Sequence, residues 1–207
     1  MQSDDFRHWS RRAAEWGVDY RDSLRELPVR AQTNPGDIAR RIADAAPEQP
    51  DAMEAIFADF EKIIVPGMTH WQHPRFFAYF PANAAPASVV AEYLVSSMAA
   101  QCMLWQTSPA ATELETRMMD WLRQALGLAP HFTGVIHDTA SSATFAAVLT
   151  MREKALAWSG NNGGLAGQPR LRVYASSQNH SSIDKALRMS GIGEDNLVRI
   201  PHEGPLR

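Results

Sequence analysis

The chain has one cysteine in 207 residues, Cys102, so no disulfide can form within it. That fits a reducing compartment. Cys102 lies in the apolar stretch AAQCMLW and reads as a small core residue rather than a nucleophile. No apolar run is long enough to cross a bilayer. The first residues, MQSDDFRHWSRRAAEW, contain no apolar stretch of the kind a secretory signal needs. Basic charge is not in excess: 20 Lys and Arg face 23 Asp and Glu, a formal net charge of −3, which argues against a nucleic-acid partner. Neither G-x-S-x-G nor H-E-x-x-H occurs, and no Walker loop is present. His70 and His73 in HWQH have no Cys or carboxylate cluster to complete a metal site. These absences leave a soluble, cytoplasmic protein with no membrane partner as the expectation.

The N-terminal third reads as short helices joined by proline-containing turns. Phe6, Trp9, Ala13 and Trp16 recur at helical spacing. Pro35 and Asp37 open a predicted helix in GDIARRIADAA, and AMEAIFADFEKIIVPG predicts another that Pro66 and Gly67 end. These helices are too short and too amphipathic to hold a generous core, so residues 1–85 are expected to pack on a partner. In HWQHPRFFAYFPANAAP, Pro74, Pro81 and Pro86 deny the aromatics a long helix or a central strand. Such a stretch is either a packed clasp or a binding wall. Helix is expected over about 87–101 and again from Ser108–Pro109, with Met118, Trp121, Leu122 and Leu126 as a buried stripe and Gly127 as the stop.

Beyond that point the pattern changes. TGVIHDTAS, RLRVYAS and NLVRI are β-prone, and SATFAAVLTMREKALAW and SIDKALRMSG are helical between them, with SGNNGGLAGQP as a loop. Strands alternating with helices predict an α/β domain with a parallel sheet, placed at residues 86–207. In such sheets ligands collect beyond the carboxyl ends of strands. Two junctions have suitable chemistry. HDTASSAT offers backbone N–H groups at a helix start, together with several hydroxyls, and is either an anion seat or a plain capped helix. SSQNHSSIDKA puts His180 where a strand hands over to a helix. There it is either a bystander in a capping region or a flat ring kept neutral by the positive end of the helix dipole.

Four stretches, HWQHPRFFAYFPA, TSPAATELETRMMDWL, GVIHDTASSATFAAVL and SSQNHSSIDKA, together resemble the pyridoxal-phosphate-dependent group II amino-acid decarboxylases, most closely the aromatic L-amino-acid decarboxylases. The resemblance implies the aspartate-aminotransferase architecture (fold type I) and a homodimer with active sites at its interface. It implies that Ala140 and Ser141 hold the phosphate of pyridoxal 5'-phosphate. His180 would stack on the cofactor ring near the substrate carboxylate and act in catalysis. Trp71, Tyr79, Phe80 and Pro81 would line the substrate cavity, with Ala82 at a position where animal members carry threonine. The AAQCMLW segment would reach toward the other subunit's pocket.

In the family, the lysine that carries the cofactor and the aspartate that pairs with its ring nitrogen lie further along than Arg207. Of the lysines here, Lys62, Lys154 and Lys185, none sits in the family's lysine motif, and Lys185 reads as a solvated helix residue. The chain is therefore expected to be the N-terminal part of an enzyme and inactive alone. The complete protein is expected to remove the α-carboxylate of an L-amino acid, aromatic on the evidence of the FFAYFP wall. The alternatives are a relative acting on glutamate, one releasing an aldehyde, or a non-catalytic dimerisation fragment.

Overall fold

The computed structural model describes residues 2–80 and 84–201. They form two compact units, divided between Ala99 and Ala100, and each is described separately.

The first unit begins with helix α1, Ser3–Ser23, longer than the aromatic spacing alone suggested. Asp4 and Asp5 lie in its first turn, where carboxylates favour the helix dipole, and Asp5 accepts the Gln2 N–H at 3.3 Å. Its aromatic face meets helix α2, Met53–Asp59, and the turn that follows. Trp9 lies 5.5 Å from Phe57, and Trp16 packs edge-on against Phe60 at 4.8 Å. Helix α2 runs on through a wider π turn at Phe60–Ile64 into a tight turn at Val65–Gly67.

The helix expected in GDIARRIADAA shrinks to one tight turn, Ala39–Arg41. The reason is local. Asp37 accepts the Asn34 N–H at 2.7 Å and pairs with Arg40, which gives the backbone an alternative to a helix. Helix α3, Pro86–Met98, closes this unit at Ala99, whose φ of 48° is left-handed. It thus lies with the first unit, whereas the domain boundary was expected at 85/86. Among the described residues of this unit, Leu24, His70 and His73 alone are fully buried.

The second unit opens with helix α4, Pro109–Ala125, which starts after Ser108 and is followed by Gly127 at φ 66°. The stripe on this helix is not buried: Trp121 is 56% and Leu126 63% exposed, because nothing among the described residues covers that face. Cys102, expected in a core, is likewise exposed. The run GVIH belongs to no sheet; a strand requires a hydrogen-bonded neighbouring strand, and this segment has none among the described residues.

Helix α5, Ala140–Ala155, follows, then a short helix α6, Ser159–Gly163, where a loop was expected. The buried Glu153 accounts for α6. It pairs with Arg152 at 2.7 Å and accepts the Asn161 N–H at 2.9 Å, and an added Cβ at Gly160 would fall 2.5 Å from its carboxylate. Strand β1, Val173–Ser176, helix α7, Ser182–Met189, and strand β2, Leu197–Ile200, complete the unit. The strands are parallel, with Val173 opposite Leu197 and Ser176 opposite Ile200. The core lies where α5 packs on α7. Val148, Ala186 and Leu187 are its centre, flanked by Phe145, Val173, Ile183, Ile192 and Leu197. No described helix is long and apolar enough to cross a membrane.

Candidate active site

The two strand-to-helix junctions singled out above come together at this α5–α7 contact. At the first, Thr139 caps α5: its Oγ1 accepts the Ser142 N–H at 3.1 Å. The first N–H groups of a helix have no partner within it. Among the described residues, the N–H groups of Ala140 and Ser141 and the Ser141 hydroxyl have no partner. The seat therefore keeps three donors in its first turn.

The preceding residue complicates it. Asp138 takes hydrogen bonds from the Ser142 hydroxyl and the Thr139 N–H, and these hold its carboxyl below the usual carboxylate range. A fixed negative charge thus stands beside the donors.

At the second junction the geometry gives His180 a part in capping α7. Ser181 precedes α7 but makes no side-chain cap bond. The imidazole does that work instead, its Nδ1 accepting the Ser182 N–H at 3.2 Å. The Ser182 hydroxyl lies 3.1 Å from the same nitrogen and donates to Thr144 Oγ1 at 3.4 Å. Thr144, one turn into α5, donates to the carbonyl of Ala140 at 2.8 Å. The backbone of the turn is held from its other side. Asn179 donates to the His180 carbonyl at 3.1 Å and to Asp184 at 3.4 Å, and Asp184 pairs with Arg199 of β2. Lys185 is exposed, as expected.

Ser182 and Asp184 were not singled out from the sequence, and Thr144 entered only as one of the hydroxyls of HDTASSAT. The motif stretches contain them, but local spacing gives no sign that residues 38 apart share a hydrogen bond.

The aromatic stretch belongs to the first unit. Trp71 stacks on Tyr79 with centroids 5.8 Å apart and lies 4.9 Å from Phe76. Tyr79 is 88% and Phe80 96% exposed, so these rings do not form a clasp on their own unit. Tyr79 adopts φ 55°, an uncommon backbone for an aromatic residue. Pro81 and Ala82 lie outside the described residues. The nearby His70 is buried and shares a 2.8 Å hydrogen bond with the Tyr20 hydroxyl, while His73 Nδ1 accepts the Arg75 N–H. These bonds use the histidines structurally, and no cluster of metal-ligating side chains exists among the described residues.

Comparison with known proteins gives this arrangement its context. Tryptophan decarboxylase 2 of Oryza sativa subsp. japonica is 37% identical over 203 residues, covering 95% of this chain and 40% of its own length. A phenylacetaldehyde synthase of Arabidopsis thaliana is 35% identical over 202 residues, with the same coverage. The crystal structure of Catharanthus roseus tryptophan decarboxylase in complex with L-tryptophan superposes with a TM-score of 0.89 at 34% identity, over 97% of this chain and 44% of that one. The chain thus spans about 40% of the length of the curated relatives it matches. The architecture is that of the fold type I pyridoxal-phosphate enzymes, represented by the helical N-terminal part and the opening of the α/β domain. Residues 35–206 match the pyridoxal-dependent decarboxylase conserved domain, and the chain belongs to that family.

Proposed function

We infer that the full-length protein is a pyridoxal-phosphate-dependent decarboxylase that removes the α-carboxylate of an aromatic L-amino acid, releasing the amine and carbon dioxide. The observation that carries this reading is the Ser182–Thr144 contact, which seats the His180 turn on the first turn of α5. A ring-stacking group and an anion seat thereby share one rigid α5–α7 contact.

The residues fit the cofactor. The N–H groups of Ala140 and Ser141 and the Ser141 hydroxyl, uncommitted among the described residues, suit a phosphate at a helix start. When bound, pyridoxal phosphate supplies an electron-accepting ring that stabilises the charge left as carbon dioxide departs. The chain's own residues would have two tasks: the seat would hold the phosphate, and the His180 ring would contact the cofactor and orient the substrate carboxylate. Trp71, Tyr79 and Phe80 would contact the substrate side chain. Their exposure supports a surface completed elsewhere in a homodimer, and the protein acts in the cytoplasm.

The test is reconstitution of the full-length protein with pyridoxal phosphate, followed by assay of amine and aldehyde from L-tryptophan, L-tyrosine, L-phenylalanine and L-glutamate. Amine from the aromatic substrates is expected. His180→Ala should retain the cofactor yet lose turnover by about 10²–10⁴-fold, the range for a lost acid–base or orienting group. Aldehyde as the product would replace the reaction outcome, and a preference for glutamate would replace the substrate class. Full turnover in His180→Ala would remove His180 from the site.

A further inference from the structure

We propose that Arg199 of β2 is a positioning residue for His180, its ion pair with Asp184 fixing the β1–α7 turn on the sheet. The proposal rests on the role given to His180 above.

The register puts Arg199 within reach of that turn. It stands opposite Ala175, one residue before β1 ends at Ser176. Leu197, two residues earlier on β2, packs against the α5–α7 core, and the two-residue period of a strand places Arg199 on the same face. Asp184 lies in the first turn of α7, and its side chain is only 12% exposed. A carboxylate so far from water needs a partner of opposite charge. The Arg199 guanidinium is that partner, and its Nη1 also donates to Asn179 Oδ1 at 3.4 Å. Along the chain, His180 thus lies between the two residues that Arg199 holds.

The other bonds of the turn do a different job. The Asn179 N–H donates to the Ser176 carbonyl at 3.3 Å, and the Ile183 N–H donates to the His180 carbonyl at 3.1 Å. The Asn179 side chain donates to the same His180 carbonyl at 3.1 Å and to Asp184 at 3.4 Å. All of these join residues 176–184 to one another, so they shape the turn without placing it. Packing of Ile183 and Leu187 holds the body of α7 on the core. The turn ahead of it is placed by bonds to other elements: Ser182 reaches Thr144 of α5 at 3.4 Å, and the ion pair reaches β2. The second tie is between charged groups, which form the stronger hydrogen bonds. The imidazole is pinned to its own turn, with Nδ1 accepting the Ser182 N–H, so the ring goes where the main chain goes. Arg199 therefore acts on the ring through the backbone.

The experiment uses the full-length holoenzyme. Arg199→Met should lower kcat about tenfold, within what a displacement of under about 1 Å costs a reacting group. KM and cofactor affinity should stay within about twofold, since no direct contact is removed. The visible circular dichroism of the bound cofactor should weaken, and amides 177–183 should exchange faster. Arg199→Lys, which keeps a cation against Asp184, should return kcat, dichroism and exchange to near wild type. If Arg199→Met does not fold, the double variant Asp184→Asn/Arg199→Met carries the test, because it leaves no buried carboxylate unpaired; the same changes are expected of it. In a His180→Ala background, Arg199→Met should cost less than about twofold more, because a positioning residue then has nothing left to position. A further loss of about tenfold in that background overturns the proposal. So does a lowered melting temperature with kcat, dichroism and exchange unchanged, which would make the ion pair a support of the fold alone. Exchange is read equally well in a protein that does not decarboxylate, so failure of the positioning role and failure of the decarboxylase reading are distinguishable.

Discussion

Asp138 sits one residue ahead of the helix cap and works against the neighbouring seat. Its carboxylate is held by the Ser142 hydroxyl and the Thr139 N–H, the kind of arrangement that stabilises a helix start. A phosphate at the proposed seat would meet that charge. The same carboxylate therefore favours the folded helix and disfavours an anion bound beside it, a conflict typical of functional sites. Asp138→Asn removes the charge while keeping the shape. It should tighten pyridoxal phosphate binding by about twofold to fivefold, the size of effect expected for a solvent-screened charge. The difference should shrink as salt is added. Fluorescence titration of the apoprotein at two ionic strengths measures both, and equal affinities at low salt would show that Asp138 does not face the phosphate.

At the scale of elements, the chain after α2 is tied back to α1 by a buried histidine. His70 shares a 2.8 Å hydrogen bond with the Tyr20 hydroxyl, and its backbone N–H donates to the Val29 carbonyl at 3.0 Å. Burial first, and then the charge of His73, lowers the His70 pKa below its ordinary value. A lowered pKa means the unfolded chain binds the proton more readily than the folded one, so stability from this group is present above the unfolded pKa. That stability falls as pH drops below about 6.5 and is lost once pH passes the folded value. Acidification through this window should loosen the contact between α1 and the segment around His70. Hydrogen exchange of α1 amides at neutral and mildly acidic pH measures this. His70→Gln, which keeps hydrogen-bonding groups but does not titrate, should flatten the dependence. A wild-type exchange pattern that does not change with pH would assign the loosening no role.

For the molecule as a whole, unsatisfied apolar surface is the main feature. In α3, Val89, Val90, Leu94 and Met98 are all exposed, and α4 exposes Met118, Trp121 and Leu122. Patches of this kind mark interaction surfaces, which supports the dimer proposed above. Obligate interfaces commonly bury more than about 2,000 Å² of largely apolar surface. Full-length protein carrying Leu94→Glu and Trp121→Glu should therefore lose the dimer, seen as a monomer in sedimentation velocity. An equally stable dimer in that variant would place the interface elsewhere.

Much of this was legible in the sequence for identifiable reasons. Helical periodicity located α1, α4, α5 and α7, because one apolar face per helix leaves a repeat that needs no knowledge of the partner. The motif stretches gave the family and the His180 and Ala140–Ser141 junctions, since a strand-to-helix turn is built from contiguous residues. Other features depended on distant neighbours and left no local mark. GVIH has strand chemistry but no described strand beside it, so it joins no sheet among the described residues. The stripe on α4 repeats like a core, yet its exposure depends on what covers it. The pairing of Ser182 with Thr144, and with it the environment of the His180 ring, exists only because α5 and α7 pack together. Local chemistry chooses a helix, a cap or a turn residue by residue; which hydroxyl meets which ring nitrogen is a property of two surfaces, fixed when they come into contact.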